Sequence, residues 1–154
     1  MNDNIDRMIY MQQAFSLEKH TGKKCYMVGA RGLHIWWGDV PEYWKFTSLP
    51  ESRLSQVAEL DHVWWFDVKT RFGSKLLSPN TTYGVYFVFK FGKDKQGVRN
   101  RHVEFQFKFE QSEIESKKVV NLDTAQPRKD GWQEVDMAEF FTEHTTSASC
   151  SSSI

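Results

Sequence analysis

Strict alternation of apolar and polar side chains over residues 103–109 is the strongest constraint on the fold. Four apolar residues, three of them phenylalanine, alternate with charged or amide side chains in the sequence VEFQFKF. Successive side chains of a β-strand point to opposite faces, so this pattern predicts a strand with one buried face. Weaker alternation recurs over residues 26–30, 33–37, 60–69 and 83–91, and it predicts further strands there.

Turn-forming residues separate these alternating segments. They are Gly38-Asp39, Leu49-Pro50, Ser78-Pro79-Asn80, Gly92-Lys93-Asp94, Pro127 and Asp130-Gly131. Several short strands joined by such turns, with no helical stretch between them, are typical of an antiparallel sandwich. The sequence therefore predicts an all-β fold, an antiparallel β-sandwich of jelly-roll type.

The two ends of the chain lack the alternating pattern of its centre. A rough helical stripe of apolar residues over 4–20, followed by Gly22, predicts a short N-terminal helix or arm within residues 1–22. Residues 145–154 read TTSASCSSSI and offer almost nothing to bury, so they predict a disordered Ser-rich tail. The sandwich domain is expected over residues 23–144.

Charge and composition exclude several classes of function. Lysine plus arginine and aspartate plus glutamate both number 20, which removes the main argument for a protein that neutralises nucleic-acid phosphates. The N-terminal residues contain no continuous apolar run, so we expect neither a secretory signal nor membrane insertion, and a cytoplasmic location. Cys25 and Cys150 lie far apart and the histidines show no zinc spacing, so we expect no metal and no cofactor.

Residues 33–46, LHIWWGDVPEYWKF, hold an unusual density of aromatic side chains. Trp37 follows Ile35 at a spacing of two, so alternation favours an inward, core-filling position for Trp37, with ligand contact as the alternative. Trp36 is then expected on the opposite face, at least partly exposed or covered by another element.

The second half of this stretch predicts a surface loop with aromatics at its rim. Pro41 and the acidic residues Asp39 and Glu42 suit a loop, and Tyr43 and Trp44 are expected where the next strand starts. A sugar ring can lay its apolar C–H face on an indole, and such stacking is worth up to ~1.5 kcal/mol by analogy with aromatic pairs. Protein interfaces also favour Trp and Tyr, so a protein-binding surface stays open as the alternative.

Three segments together resemble the phloem protein 2 family of plants, which includes the jasmonate-induced tobacco lectin and the cucurbit phloem lectins. They are CYMVGARGLHIWWGDVPEYWKF, SLPESRLSQVAELDHVWWFDVKTRF and LSPNTTYGVYFVFK. The family pattern falls on Ile35, Trp37, Gly38, Tyr43, Trp44, Val57 to Leu60, Trp65 and Leu77 to Tyr83. The resemblance covers roughly residues 23–140. By its size, and without an F-box, the chain is expected to be most similar to the small cucurbit phloem lectins.

The resemblance implies a non-catalytic lectin for N-acetylglucosamine oligomers such as chitin fragments, with glycoproteins carrying N-glycan cores as further candidate ligands. It also allows a location in the phloem sap. In the family, the tryptophans matching Trp37 and Trp44 are tied to sugar binding. The expected site therefore has Trp44 as stacking platform, with the remaining members Tyr43, Trp37, Trp36, Asp39 and Glu42. Trp132, Lys129 and Asp130 form a second aromatic and polar turn, a secondary candidate for the same end of the sandwich.

One departure from the family pattern concerns the end of the domain. After the segment matching 132–141, family members continue into two more strands, whereas this chain turns into the Ser-rich tail. An uncovered edge would invite pairing, so we expect a homodimer, or residues 5–17, to cover it. The alternative function is an RNA- or protein-binding transport scaffold, which rests on the basic run 98–102, although a solvated loop explains that run more simply.

Overall fold

A computed structural model describes residues 13–61, 67–73, 77–92, 102–109, 115–142 and 147–153. The strands within these residues are β1 Gln13–Leu17, β2 Lys24–Val28, β3 His34–Ile35, β4 Trp44–Thr47, β5 Val57–Leu60, β6 Asp67–Gly73, β7 Thr81–Phe89, β8 His102–Phe109, β9 Glu115–Asn121, β10 Gln126–Pro127, β11 Gln133–Thr142 and β12 Ser147–Ser153. Short 3-10 turns cover Ala30–Gly32 and Leu122–Thr124. All the described pairings are antiparallel, which confirms the predicted all-β antiparallel sandwich.

The main core lies between a five-stranded sheet, in the order β3-β6-β12-β8-β9, and a three-stranded sheet, β10-β11-β7. Val103 and Phe105 of β8 are fully buried there against Val135 and Met137 of β11. The rings of Phe105 and Phe87, from the two facing sheets, have centroids 5.5 Å apart. The alternation that predicted one buried face for the strand over 103–109 is thus confirmed at Val103 and Phe105, because these residues form the centre of the core.

A second, smaller cluster holds the β4–β5 hairpin against the edge of the five-stranded sheet. Ile35, Trp44 and Val68, from β3, β4 and β6, form its buried centre. The guanidinium of Arg31 lies over the ring of Phe46, 3.7 Å from its centroid, and so ties the hairpin to the preceding 3-10 turn. This cluster lies beneath the loop between β3 and β4.

A buried hydroxyl fixes the turn that leads into β7. Asn80 adopts the left-handed region with φ of 47°, which asparagine tolerates well. The Thr142 hydroxyl donates to the carbonyl of Ser78 at 2.7 Å and accepts the N–H of Thr81 at 3.1 Å. The segment SPNTT is thus held to the end of β11 by backbone and hydroxyl contacts.

Of the helix or arm predicted within residues 1–22, the helix is wrong where the structure describes the chain. Gln13–Leu17 forms β1 and pairs with β2, while residues 1–12 lie outside the described residues. The turn after β1 explains the difference, because Gly22 has φ of 67° and the Glu18 carboxylate accepts the N–H groups of His20 and Thr21. Hydrogen bonds from the Thr21 hydroxyl and from these two N–H groups hold the pKa of Glu18 below its usual value.

The prediction of a disordered tail over residues 145–154 is also wrong for Ser147–Ser153. This segment is β12, and it lies between β6 and β8 with ladders on both sides. Main-chain hydrogen bonds hold a central strand whatever its side chains, so a composition with little to bury does not prevent pairing. The expected shortage of closing strands therefore no longer supports a covering partner, and the homodimer stays a prediction.

Some predictions fall where the chain is not described. The alternating segment 60–69 is split, with β5 ending at Leu60 and β6 beginning at Asp67, and residues 62–66 lie outside the described ranges. The same holds for residues 98–101 of the basic run, so the RNA-binding alternative stays a prediction. Among the residues that are described, no helix is long and apolar enough to cross a membrane.

Candidate functional site

The loop over residues 36–43, between β3 and β4, is closed by its own backbone hydrogen bonds. They run from the Gly38 N–H to the Ile35 carbonyl at 2.9 Å, from Val40 to Trp37 at 3.0 Å, and from both Tyr43 and Trp44 to Val40 at 3.0 Å. A Cβ on Gly38 would lie 3.0 Å from both the Cβ and the carbonyl oxygen of Ile35, so only glycine fits there without a shift. The loop is therefore a defined turn whose main chain is held by hydrogen bonds of the protein itself.

Trp37 lies on the surface of this loop, and the prediction of a core position is wrong. Its side chain is 39% exposed, and its backbone is left-handed with φ of 58°. Strand β3 ends at Ile35, so the alternation of faces does not continue to Trp37, where the chain is already turning. A bulky residue in the left-handed region is an outlier that costs backbone energy.

The Trp37 ring lies against Tyr43 at the other end of the loop. The ring centroids are 5.4 Å apart and the ring planes are inclined by 34°. Asp39 and Glu42, on the loop between them, are both exposed. The structure thus brings together four of the predicted site residues: two inclined rings and two carboxylates on one short loop.

Trp44 is buried, so the prediction of an exposed rim position is wrong. Its side chain is only 6% exposed and packs with Ile35 and Val68. Strand β4 begins at Trp44, which pairs with Leu60 of β5, and its neighbour Lys45 takes the exposed face instead. Trp44 therefore anchors the end of the loop from inside and does not offer a stacking surface.

Trp36 lies on the face opposite to Ile35, as alternation predicts. It is 49% exposed, and its N–H donates to the Asp67 carbonyl at 2.9 Å, which continues the β3–β6 ladder by one residue. The side chains of Asp67 and Lys69 on β6 are joined by an ion pair of 2.9 Å. Sequence interpretation did not place these two residues beside Trp36, although their places on either side of Val68 signalled a polar face.

The second predicted turn lies elsewhere. Lys129 is exposed and Trp132 is half-buried, and the neighbouring Asp130 approaches Arg53 at 3.9 Å. Arg53 belongs to the β4–β5 loop, which leaves the hairpin at the end away from Trp44. The prediction that Trp132 and Lys129 share an end with the aromatic loop is therefore not supported by these contacts.

Hydrogen bonding makes Asp130 the organising residue of this second turn. Partial burial raises the pKa of Asp130, but the N–H of Trp132 and the guanidinium of Arg128 outweigh it and leave the pKa below its usual range. An open depression of about 330 Å³ is lined there by Arg53, Arg128, Lys129 and Asp130. Within the described part of the chain, no group of three or more His, Cys, Asp or Glu side chains is placed to hold a metal ion.

The chain matches a known protein family over most of its length. The profile of the Phloem protein 2 family matches residues 23–153. This chain belongs to that family. The match ends at residue 153, the last residue of β12.

Several similar proteins are Arabidopsis thaliana proteins whose names contain the word F-box. The chain is 38% identical over 138 residues to the F-box protein PP2-B10 of Arabidopsis thaliana, covering 82% of this chain and 50% of the relative. It is 37% identical over 131 residues to the putative F-box protein PP2-B12 of the same plant, covering 83% and 52%. Over 79 residues it is 49% identical to the F-box protein PP2-B1, covering 51% and 24%. The chain spans about half the length of the first two relatives, and its family is lectin-like, not a known enzyme family.

Proposed function

We propose that this chain is a non-catalytic lectin domain that recognises N-acetylglucosamine oligomers such as chitin fragments. The observation that carries the proposal is Trp37, an exposed tryptophan held in a left-handed backbone conformation against the ring of Tyr43. Membership of a lectin-like family supports the class of ligand.

Folding alone gives little reason for a tryptophan at this position. A left-handed conformation costs a residue with a side chain about 1–3 kcal/mol, and glycine would avoid that cost. The Trp37 ring also remains 39% exposed, so packing recovers only part of what a buried indole would contribute. Strained backbone at an exposed aromatic is typical of a binding residue whose ring is held in the orientation that a ligand needs.

The geometry of the loop suits a sugar ring. An N-acetylglucosamine unit can stack its C–H face on Trp37, while Tyr43, inclined by 34°, contacts its edge. The exposed carboxylates of Asp39 and Glu42 can accept hydrogen bonds from sugar hydroxyls and from the N–H of the N-acetyl group. Because hydrogen bonds already fix the backbone of the loop, binding needs little further ordering of the main chain.

Trp44 has a different role in this proposal. It is buried beneath the loop with Ile35 and Val68, so it positions Tyr43 and Trp37 without touching the sugar. Both tryptophans then matter for binding, but for separable reasons. Trp37→Ala should lose binding while the protein stays folded, whereas Trp44→Ala should lose binding and stability together, by about 3–5 kcal/mol of unfolding free energy.

The test is calorimetric titration with the trisaccharide of N-acetylglucosamine, alongside thermal unfolding of each variant. Trp37→Ala should weaken binding by about 30-fold or more, as expected for a central aromatic contact worth at least ~2 kcal/mol. Tyr86→Ala is the matched control, because Tyr86 is a 54% exposed aromatic on the three-stranded sheet, away from the loop. Absence of saturable binding by the native protein, or equal affinity in the Trp37 and Tyr86 variants, would refute the proposal.

A further inference from the structure

We infer that the chain carries a second sugar subsite on the outer face of the five-stranded sheet, formed by Trp36, Asp67 and Lys69. This inference rests on the proposed function, since the subsite takes a further N-acetylglucosamine unit of the same oligomer. Trp36 and Trp37, which are neighbours in sequence, then contact two different sugar units of the ligand.

The register of β3 and β6 places these three side chains together. His34 pairs with Lys69 and Ile35 with Val68, and the hydrogen bond from the Trp36 N–H to the Asp67 carbonyl adds the next opposite pair. Side chains of directly opposite residues on one face have Cβ atoms about 4.5–5.5 Å apart. Because Ile35 and Val68 point into the core, Trp36 and Asp67 share the outer face with Lys69.

The three residues offer the groups that bind sugars, at places where folding does not require them. Trp36 is 49% exposed and lies beyond the end of the strand. Lys69 is exposed and donates its ammonium to Oδ2 of Asp67 at 2.9 Å. The Asp67 side chain is only 15% exposed, and within the described residues its Oδ1 is covered and has no hydrogen-bond donor. A buried carboxylate oxygen without a donor is costly, and the N–H or O–H of a sugar that reaches Asp67 can supply one.

The chemistry of this pair matches an N-acetyl group. An acetamide presents one N–H donor and one carbonyl acceptor, and the ion pair presents a carboxylate acceptor and an ammonium donor. The sugar ring can stack on the indole of Trp36, and the acetamide can bridge Asp67 and Lys69 at its edge. A sugar with a hydroxyl in place of the acetamide would satisfy only part of the pair.

The two aromatic platforms lie on different sides of the sheet edge. The Trp37 ring contacts Tyr43, which packs on the inner cluster of Ile35, Trp44 and Val68, whereas Trp36 faces outward. A single sugar unit can occupy one platform only, because the Trp37 ring lies against Tyr43 while Trp36 lies on the outer face. An oligomer that crosses the end of β3 contacts both, so affinity should rise with chain length.

The experiment compares the monosaccharide and the trisaccharide of N-acetylglucosamine by calorimetry and by nuclear magnetic resonance of the tryptophan indole N–H groups. In the native protein, the trisaccharide should shift both indole signals. At monosaccharide concentrations that shift the Trp37 signal, the Trp36 signal should stay unchanged, because a single unit gains more contact from the rings of Trp37 and Tyr43 than from Trp36 alone. Trp36→Ala should weaken the trisaccharide about 2- to 12-fold, the range expected for aromatic stacking, and leave monosaccharide affinity unchanged. Trp36→Phe, which keeps a ring, should restore part of the loss, and Trp37→Ala should weaken both sugars.

The possible results separate this inference from the proposed function. If Trp36→Ala weakens both sugars equally, or if the monosaccharide shifts the Trp36 signal as much as the trisaccharide does, there is one common site and the second subsite is refuted. Unchanged trisaccharide affinity in Trp36→Ala refutes it as well. If the native protein binds neither sugar, the proposed function fails and the subsite fails with it. Unchanged thermal unfolding of Trp36→Ala shows that its fold is intact.

Discussion

Replacing Trp37 by glycine should give a more stable protein than replacing it by alanine. Both substitutions remove the same ring, so their difference reports the backbone at φ of 58° alone. A left-handed alanine costs about 1–2 kcal/mol, and the extra freedom of glycine in the unfolded chain costs about 0.5–1 kcal/mol in the other direction. The unfolding free energy of the glycine variant should therefore be about 0.5–1 kcal/mol higher than that of the alanine variant, the reverse of the usual order.

The neighbouring Trp36 is the matched control for this measurement, because its φ is not positive. There glycine should be less stable than alanine by about 0.5–1 kcal/mol. Urea unfolding followed by circular dichroism measures both pairs, and at a slope of 1–3 kcal/mol per molar the midpoints should differ by roughly 0.2–1 M with opposite signs. If glycine falls below alanine at both positions, Trp37 is not strained, and the argument that its backbone is held for binding is wrong.

Two further predictions concern the parts of the fold that sequence interpretation placed wrongly. Ser151→Pro removes a main-chain donor from a strand that is paired on both sides. The loss should cost about 3 kcal/mol and lower the melting temperature by about 6–12 °C. An unchanged melting temperature would indicate that residues 147–153 are not in the sheet. The pKa of Glu18 is lower in the folded state than its ordinary value of 4.5. The carboxylate therefore stabilises the folded state above pH 4.5, and this contribution is lost as the pH falls through the folded-state pKa. The difference in unfolding free energy between the native protein and Glu18→Gln should therefore shrink on acidification below pH 4.5, and a difference that stays constant with pH would contradict the hydrogen-bonded turn.

The sheet strands with the strongest alternation could be predicted from the sequence. In β8, Val103 and Phe105 occupy the buried face because alternating side chains leave one face apolar whatever the partner strands are. The rule that a strand shows alternating apolar and polar side chains fails at β12, because this strand is held by pairing with β6 and β8, which lie far away in sequence. It also fails at β1, where the turn formed by Glu18 and Gly22 outweighs an irregular helical stripe.

At the candidate site, the sequence predicted a loop between two strands and exchanged the positions of two tryptophans, because Trp37 is exposed and Trp44 is buried. Extending the alternation from Ile35 to Trp37 ignored the turn that Gly38 makes directly after β3. The burial of Trp44 follows from its pairing with Leu60, a contact between strands that the sequence of the loop does not contain. Asp67 became a candidate only when the register of β3 against β6 placed it opposite Trp36.

The central position of β12 has a consequence for how the molecule folds. Until this strand is in place, the larger sheet consists of two separate pieces, β3 with β6 and β8 with β9, each with an unpaired edge. Closing such non-local pairs costs loop entropy and is slow, so we expect folding in the millisecond-to-second range, with the two edges open to aggregation in the meantime. Trp36, Asp67 and Lys69 belong to the β3–β6 piece, so a chain still emerging from the ribosome contains these candidate residues before it has the strand that completes the sheet beside them.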